Sequence, residues 1–429
     1  MREECAFLAA VSATHSVHEA RASTRMPPRK VLVIAGPTAV GKSAAAMYVA
    51  HELSGELISA DSVQVYRHLN VGANKPSDED RRAVRHHLLD IADPASDDYT
   101  AGQFYHDARR VTDEVLLRER LPVVVGGTSM YLRWYVYGKP PTAEVSGQVR
   151  AEVEEEVSAF GDDWDGALEI LAGLDPERAS RITRNDWYRL KRSLEIIRDS
   201  KQTVTELPNT GASPAAAAPD ASHYDFRCFF IAAPREALAR RVDQRCEEML
   251  ATKGLIDEVK TLLELDKLRS ESSAGRAIGY RQTIEYLLSR ARARTDGGTA
   301  AGASAVGAFR AYLDNFMSAT RQYARRQLQW FRNEPNFVWI SVNTGDDNAP
   351  EACAREIMQL MELSREEHDA LLASSDQSQV RQRCISEGRH MKKFISSKHL
   401  ILPDSDIERS LVRAAEEAAD VLSARDIPS

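Results

Sequence analysis

Short apolar runs dominate the first third of the chain. They are separated by segments in which apolar residues recur at helical spacing. The runs Val31–Ala35, Glu56–Ala60 and Pro122–Val125 are closed by turn or polar residues. Runs of this length predict strands that are buried on both faces. Apolar residues recur at helical spacing over Ser43–Leu53 and Thr100–Glu119, which separate these runs. The alternation predicts an α/β fold, in which a parallel sheet is covered by helices.

The middle of the chain, residues 146–265, is predicted to be a mainly helical insertion. Helices are expected over Trp187–Arg198 and Pro234–Leu250. Residues 209–222 between them are rich in Ala, Pro and Ser, a composition typical of a linker.

After a second low-complexity stretch at residues 291–307, the pattern indicates a return to the sheet. A long helix is predicted over Asp314–Arg332 and a strand over Phe337–Val342. Beyond residue 343 the sequence is polar, acidic and helix-prone, without a recognisable motif. The expected organisation is a tail at 1–30, a core at 31–145, the helical insertion at 146–265, the second part of the core at 266–342, and an acidic C-terminal extension at 343–429.

Charge is unevenly distributed along the chain. The formal net charge is −8, and residues 341–429 contain 17 acidic and 11 basic residues, so the rest of the chain is close to neutral. Residues 181–200 contain six Lys or Arg and three Asp or Glu. A local basic face is compatible with phosphate backbones even where the total charge is acidic. The charge balance therefore does not exclude a nucleic-acid partner.

Neither a membrane span nor a cysteine metal site is predicted. No stretch approaches the ~18 consecutive apolar residues of a membrane-spanning helix. The five cysteines stand singly, which favours a reducing compartment over a disulfide framework. In the C-terminal extension, Cys353, Cys384, His390 and His399 lack the paired-cysteine spacing of a zinc knuckle, so we predict no structural zinc. No apolar helix demands a partner chain, and we expect a monomer.

The first 30 residues are either a tail or a targeting segment. Organelle-targeting segments are usually poor in acidic residues, and Glu3 and Glu4 count against that interpretation. We therefore expect a cytoplasmic location, with the mitochondrion or plastid as alternatives.

A phosphate-binding loop follows the first predicted strand. The motif G-x-x-x-x-G-K-[ST] is matched by Gly36-Pro37-Thr38-Ala39-Val40-Gly41-Lys42-Ser43, between a buried strand and a helix. The glycines allow a tight turn whose N–H groups face an anion, and the helix N-terminus adds a favourable dipole. Lys42 supplies a positive charge to the distal phosphate, and the Ser43 hydroxyl a ligand for Mg²⁺. The motif predicts a phosphorylated substrate.

Asp61 is the acidic residue at the nearest strand end. The third predicted strand ends in Gly126-Gly127-Thr128, without the carboxylate that nucleotide hydrolases usually have there. A phosphate-binding loop with one well-placed carboxylate suits phosphoryl transfer, or a reaction in which diphosphate is the leaving group. From the residues alone, Asp61 is a general base, a helix cap or a ligand of a Mg²⁺-bound water.

The segment Gly55–Tyr66 follows the loop at a short distance, and then come Gly72–Ser77, His86–Asp90 and Gly126–Thr128. Their order and spacing resemble the tRNA dimethylallyltransferase (isopentenyltransferase) family. The resemblance extends from about Val31 to about Ile340, and the run Leu132–Pro140 looks closest to a plant-type tRNA-modifying branch.

The resemblance implies a reaction and roles within it. The donor is dimethylallyl diphosphate, with its diphosphate in the loop Gly36–Ser43, and the acceptor is N6 of adenosine 37, next to the anticodon of tRNA. Asp61 is then the base, and proton acceptance from a poorly nucleophilic amine is worth about 10²–10⁴-fold in rate. Lys42 and Arg245 stabilise the leaving diphosphate, with Mg²⁺ bound at Ser43. Arg241 lies four residues from Arg245 and shares its helix face.

The resemblance also implies a tRNA-binding surface. An adenosine must leave the anticodon-loop stack to reach Asp61, which predicts extrusion of the base into a channel between the sheet and the helical insertion. The predicted tRNA-contacting residues are Asp61, Ser62, Val63, Gln64, Thr128, Arg150, Tyr188, Arg189, Leu190, Lys191, Arg192, Arg276, Gly279, Tyr280, Arg281, Gln282, Arg321 and Arg325.

Three other functions remain open from the sequence. An enzyme that prenylates free adenine nucleotides, as in cytokinin synthesis, would share the loop and Asp61. A small-molecule kinase would bind ATP in the same loop. A tRNA-binding protein without activity is the third, and the intact residues Lys42, Ser43, Asp61 and Arg245 count against it. The basic helical insertion and Arg276–Gln282 favour a macromolecular substrate.

Overall fold

The computed structural model describes residues 29–95, 98–139, 145–207, 224–295, 304–343, 348–386, 394, 396 and 398–424. The proposed N-terminal tail, up to residue 28, and the linker at 209–222 lie outside these residues. The described chain forms six strands in one parallel sheet, in the order β3-β2-β4-β1-β5-β6. The strands are β1 (Arg29–Ala35), β2 (Gly55–Ala60), β3 (His86–His87), β4 (Leu121–Gly126), β5 (Tyr224–Ala232) and β6 (Val338–Ser341).

Helices cover this sheet, as the alternating pattern predicts. The helices in the first half of the chain are α1 (Lys42–Glu52), α2 (Asp78–Ala83), α3 (Ala101–Leu117), α4 (Ser129–Tyr137), α5 (Gly147–Ser158), α6 (Trp164–Leu174), α7 (Pro176–Ser180) and α8 (Trp187–Ser200). Those in the second half are α9 (Arg235–Ala251), α10 (Leu255–Glu264), α11 (Tyr280–Thr295), α12 (Ala305–Phe331), α13 (Ala349–Met361), α14 (Arg365–Leu372), α15 (Ser375–Ser386) and α16 (Asp406–Ser423).

The central strands bring three loops to one edge of the sheet. Ala35 of β1 lies opposite Gly126 of β4, and Gly126 lies opposite Ala60 of β2. Because parallel strands end at the same edge, the residues that follow these three positions are neighbours. The phosphate-binding loop, Asp61 and Gly127 therefore meet at the carboxyl edge, where ligands bind in open α/β sheets.

The expected extent of the helical insertion is wrong at its C-terminal end. β5 lies in the sheet beside β1, and α9 and α10 pack into the main core rather than into a separate helical unit. The run Phe226–Ala232 is buried throughout, and apart from Arg227, which pairs with Asp225, it is apolar, as is typical of a strand covered on both faces. The predicted insertion, which ends at residue 265, therefore wrongly includes the strand β5 and the core helices α9 and α10.

The helical unit consists of α5–α8 and has its own small core. The side chains of Val153, Leu171, Leu190 and Leu194 are fully buried in a cluster separate from the sheet. Trp164 and Trp187 meet edge to face, with ring centroids 5.1 Å apart. One face of α8 thus packs into the core of the helical unit. The side chains on the other face of α8 lie on the surface.

The C-terminal extension forms helices that dock on the core. α13 packs against α1, behind the phosphate-binding loop, and α16 packs against α10, α11 and α12. Arg290 and Arg294 of α11 both pair with Glu416 of α16, at 2.8 and 2.6 Å. Among the described residues, no helix combines the length and apolar character needed to cross a membrane.

Candidate active site

The phosphate-binding loop has the geometry of an anion site. Gly41 adopts φ 101°, a left-handed conformation that glycine accepts without a steric penalty, and α1 begins at the next residue. No side chain caps this end of α1, so its first N–H groups are available to a ligand. Lys42 lies over the loop, and its Nζ donates to the Pro37 carbonyl oxygen at 2.8 Å.

Lys42, Arg245 and Asp61, which the sequence places far apart, share one electrostatic environment. Burial, followed by the charge of Arg245, lowers the pKa of Lys42 to about 7, and the charge of Asp61 opposes this shift. Burial also lowers the pKa of Arg245, and the charge of Asp61 is one of those that oppose this shift. Two cations held close to each other and out of water favour the binding of an anion between them.

Asp61 uses one carboxylate oxygen for the local fold. Oδ1 accepts hydrogen bonds from the N–H groups of Val63 and Gln64, at 2.9 and 3.3 Å. Within the described part of the chain, Oδ2 accepts no hydrogen bond. The same carboxylate therefore caps the turn and keeps an oxygen available to a substrate, so the cap and the base are compatible roles.

Thr128 joins the Asp61 turn to the end of β4. Its Oγ1 accepts a hydrogen bond from the Ser62 N–H at 3.0 Å. Tyr323 of α12 lies beside Thr128, and burial, followed by the charge of Asp61, raises the pKa of the Tyr323 phenol. Tyr323 remains a neutral phenol beside Asp61. Tyr323 was not predicted as a site residue, although it lies in the same basic, aromatic segment as Arg321 and Arg325.

Gln327, four residues after Tyr323 on α12, was missed as well. Its side chain is 4% exposed and joins the two loops that form the site. Oε1 accepts from the Thr38 N–H at 2.8 Å, and Nε2 donates to the Gly127 carbonyl oxygen at 2.9 Å. A Cβ on Gly127 would lie 2.2 Å from Nε2, so this contact requires glycine. The i, i+4 spacing of Tyr323 and Gln327 is the signal that could have revealed this face of α12.

Comparison with known proteins shows the family to which this chain belongs. Residues 64–334, more than half of the chain, match the family model of IPP transferase. The chain belongs to the IPP transferase family. It is 40% identical over 402 residues to tRNA dimethylallyltransferase 9 of Arabidopsis thaliana, covering 86% of this chain and 85% of that protein. It is 37% identical over 318 residues to tRNA dimethylallyltransferase of Protochlamydia amoebophila, covering 74% and 86%.

Solved structures of the IPP transferase family share the fold. A full-length tRNA isopentenylpyrophosphate transferase from Bacillus halodurans matches with a TM-score of 0.51 and 29% identity, over 82% of this chain and 99% of that one. A eukaryotic dimethylallyltransferase, solved acting on tRNA, matches with a TM-score of 0.61 and 24% identity, over 80% and 84%. The predicted fold class, a parallel sheet like that of P-loop nucleotide triphosphatases with a helical insertion, is confirmed.

The surface predicted to contact tRNA is only partly accessible in this IPP transferase. Leu190 and Tyr280 are 0% exposed, so the prediction that their side chains contact tRNA is wrong. Leu190 fills the core of the helical unit, and the Tyr280 hydroxyl donates to Glu258 Oε1 at 2.7 Å. Gln282 is also buried, and its Oε1 accepts from the Gly279 N–H at 2.9 Å.

Gln64 has its side chain occupied within the protein. Its Oε1 accepts from Ser59 Oγ at 2.8 Å, and its Nε2 donates to the carbonyl oxygens of Ala73 and Asn74, both at 3.2 Å. The side chain holds the loop after β2 rather than pointing to a ligand. Of the predicted group around Asp61, Ser62 and Thr128 contact each other, and the charge of Asp61 acts on both Lys42 and Tyr323.

The surface of α8 carries an exposed aromatic ring among paired cations. Tyr188 is 78% exposed. Arg189 pairs with Asp186 at 2.6 Å, Lys191 with Glu154 at 2.6 Å, and Arg192 with Glu195 at 2.9 Å. Such surface pairs are worth only about 0–1 kcal/mol, so a phosphate group can replace the acidic partner at small cost.

The remaining predicted cations differ in their availability. Arg150, Arg276 and Arg325 are exposed, as is Arg281, which donates to Glu285 Oε1 at 2.8 Å. Arg241 lies beside Ala39, Val40 and Gly41 of the phosphate-binding loop. Arg321 is instead bound to the buried carboxylate of Asp243. Its side chain therefore serves the packing of α12 on α9.

Proposed function

We propose that this IPP transferase moves a dimethylallyl group from dimethylallyl diphosphate to N6 of adenosine 37 in tRNA and releases diphosphate. The observation that carries the proposal is the free Oδ2 of Asp61 beside an uncapped phosphate-binding loop that contains Lys42. The names and sequence identities of the relatives support this activity over nucleotide prenylation and over a kinase.

The reaction breaks the bond between the allylic carbon and the diphosphate oxygen, and forms a bond from that carbon to N6. The diphosphate develops negative charge, which Lys42, Arg245 and the N–H groups at the start of α1 are placed to stabilise. N6 becomes more acidic as the new bond forms, and Asp61 Oδ2 accepts its proton. The neutral phenol of Tyr323, next to Thr128, is a hydrogen-bond donor on the acceptor side of the site.

Mg²⁺ fits this site as an ion held mainly by the donor. The described residues contain no cluster of three or more His, Cys, Asp or Glu able to hold a metal by themselves. Ser43 stands in the first turn of α1, where its hydroxyl can bind the ion, and Mg²⁺ commonly combines few protein ligands with substrate phosphates and water. Bound there, the ion would neutralise part of the diphosphate charge.

The tRNA would lie across α8 and the exposed arginines. Tyr188 offers a ring on which a base can stack, and Arg189, Lys191 and Arg192 offer charges to phosphates. Arg150, Arg276, Arg281 and Arg325 offer further exposed positive charges outside α8. Asp61 lies at the carboxyl edge of the sheet, so adenosine 37 must leave its stack to reach Oδ2. A complex with tRNA in which this adenosine is still stacked would contradict the proposed geometry.

The decisive experiment offers two acceptors in parallel. Labelled dimethylallyl diphosphate and Mg²⁺ are incubated with unmodified tRNA or with AMP, ADP or ATP. We expect label on tRNA alone. Label on the free nucleotides would move the enzyme to cytokinin synthesis. Label on neither acceptor would overturn the proposal.

The lowered pKa of Lys42 predicts proton uptake when diphosphate binds. In the free enzyme this pKa is about 7, so Lys42 is largely neutral at about pH 8.5. A bound anion favours the charged form and raises the pKa again, so binding should take up about one proton at that pH and much less near pH 6. The affinity for diphosphate should fall as the pH rises above about 7.

Calorimetry in buffers of different ionisation enthalpy measures this uptake directly, with inorganic diphosphate and Mg²⁺ as the probe. Lys42→Arg is the matched control, because a guanidinium stays charged over the whole range. Equal proton uptake in the wild type and in Lys42→Arg would show that another group titrates.

A further inference from the structure

Helix α9 carries cations on one face and buried carboxylates on the other. Arg241 and Arg245 are four residues apart and face the phosphate-binding loop. Asp243 and Glu247 are also four residues apart, and both are 0% exposed. A step of two residues turns a helix by about 200°, so the two pairs lie on opposite sides of α9. The contacts that hold the two carboxylates also fix the rotation of α9 about its axis. They therefore fix the direction in which Arg241 and Arg245 point.

The partners of these carboxylates come largely from the end of the chain. We define the C-terminal segment as the described residues Phe394, Ser396 and Lys398–Ile401. Ser396 Oγ donates to Asp243 Oδ2 at 2.6 Å. Glu247 accepts the N–H groups of three consecutive residues of the segment: His399 at 2.9 and 3.1 Å, Leu400 at 3.3 Å and Ile401 at 2.9 Å.

The same segment also reaches α12. Arg321 binds the other oxygen of Asp243, and its guanidinium lies over the Phe394 ring, 5.6 Å from the centroid. Asp243 therefore joins α9, α12 and the C-terminal segment at one point. Because α12 also contains Tyr323 and Gln327, the segment is connected to both helices that build the active site.

Buried carboxylates restrict α9 strongly. A carboxylate without partners is costly in the interior, so α9 is held in the orientation in which Asp243 and Glu247 keep theirs. The segment itself is anchored further along the chain, where Glu408 of α16 pairs with Arg310 of α12 at 2.8 Å. The C-terminal extension thus braces α9 from the side opposite the phosphate-binding loop.

We infer that the C-terminal segment sets the position of the donor-binding arginines, with Asp243 and Glu247 as the positioning residues that transmit its contacts through α9. This inference rests on the proposed function, because it assumes that Arg241 and Arg245 meet the donor diphosphate. It gives the acidic C-terminal extension, for which the sequence offered no motif, a role in the reaction.

The test uses single substitutions in the full-length protein. Ser396→Ala removes one hydrogen bond to Asp243, and Glu247→Gln keeps the shape of the side chain while it removes an acceptor. We expect each to raise both the KM for dimethylallyl diphosphate and the Kd for inorganic diphosphate by about 3–10-fold, the order of effect of one ordinary intramolecular hydrogen bond. The KM for tRNA should not change.

Glu416→Gln is the matched control. It weakens the contact of α16 with Arg290 and Arg294, and the described ion pairs of Glu416 are with these two residues of α11 rather than with α9 or the C-terminal segment. We expect it to lower the Tm without changing either donor constant. An unchanged donor KM and diphosphate Kd in Ser396→Ala and Glu247→Gln would overturn the inference, and so would an equal change in the control.

Failure of the inference can be distinguished from failure of the proposed function. If the wild-type protein transfers no prenyl group to tRNA, the proposed function fails whatever the variants do. If the wild type is active and its donor constants equal those of Ser396→Ala and Glu247→Gln, only the inference fails.

Discussion

Replacing Asp61 by asparagine is expected to lower kcat for prenyl transfer by about 10²–10⁴-fold, because N6 loses the group that accepts its proton. The amide oxygen of asparagine can still accept the N–H groups that Oδ1 holds at 2.9 and 3.3 Å. The turn should therefore persist, and the KM for dimethylallyl diphosphate should change little. A single-turnover measurement with enzyme in excess over labelled donor isolates the chemical step.

The chain offers a matched control for this substitution in the helical unit. Asp163 also uses one carboxylate oxygen as a cap, accepting the Gly166 N–H at 3.1 Å at the start of α6. Asp163→Asn should leave kcat unchanged. If Asp61→Asn were equally active, Asp61 would be a cap alone, and the proton would have to leave by another path.

The parts of the site that the sequence predicted are those fixed by local structure. The loop Gly36–Ser43 turns, binds and starts a helix through its own glycines and N–H groups, so its motif contains most of its geometry. Asp61 was found for a similar reason: a strand end places it at the carboxyl edge of a parallel sheet. The resemblance to a known family added roles to positions that already had a physical explanation.

What the sequence did not reveal depends on contacts between distant segments. Gln327 contacts Thr38 and Gly127, about 290 and 200 positions away, and nothing in its neighbourhood announces either partner. The error at Leu190 and Tyr280 has the same origin. A motif identifies a helix but does not say which of its faces the core will cover, and burial decides which side chains can meet a macromolecule. β5 was missed because its apolar run was assigned to the helical insertion.

Gln327→Met is expected to give the largest loss of stability among substitutions near the site. Methionine is similar in length but cannot reproduce either hydrogen bond, so the Thr38 N–H and the Gly127 carbonyl oxygen lose their shared partner. Each unsatisfied buried group costs about 1–3 kcal/mol, so the free energy of unfolding should fall by about 2–6 kcal/mol. The phosphate-binding loop and the loop at Gly127 would also lose their only described side-chain bridge through α12. The groups that bind the donor would then be misplaced, so the KM for dimethylallyl diphosphate should rise by roughly tenfold or more.

Gln329→Met is the control, because Gln329 lies on the same helix but is exposed, and the substitution there should change neither quantity. Gln327→Glu separates the two hydrogen bonds: it retains an acceptor for Thr38, loses the donor to Gly127, and adds a negative charge beside the phosphate-binding loop. We expect it to impair donor binding more than Gln327→Met does, since the added charge repels diphosphate. Chemical denaturation, together with donor titrations of the three variants, measures both effects. If Gln327→Met kept the donor KM of the wild type while losing stability, the bridge would hold the fold together without shaping the phosphate-binding loop.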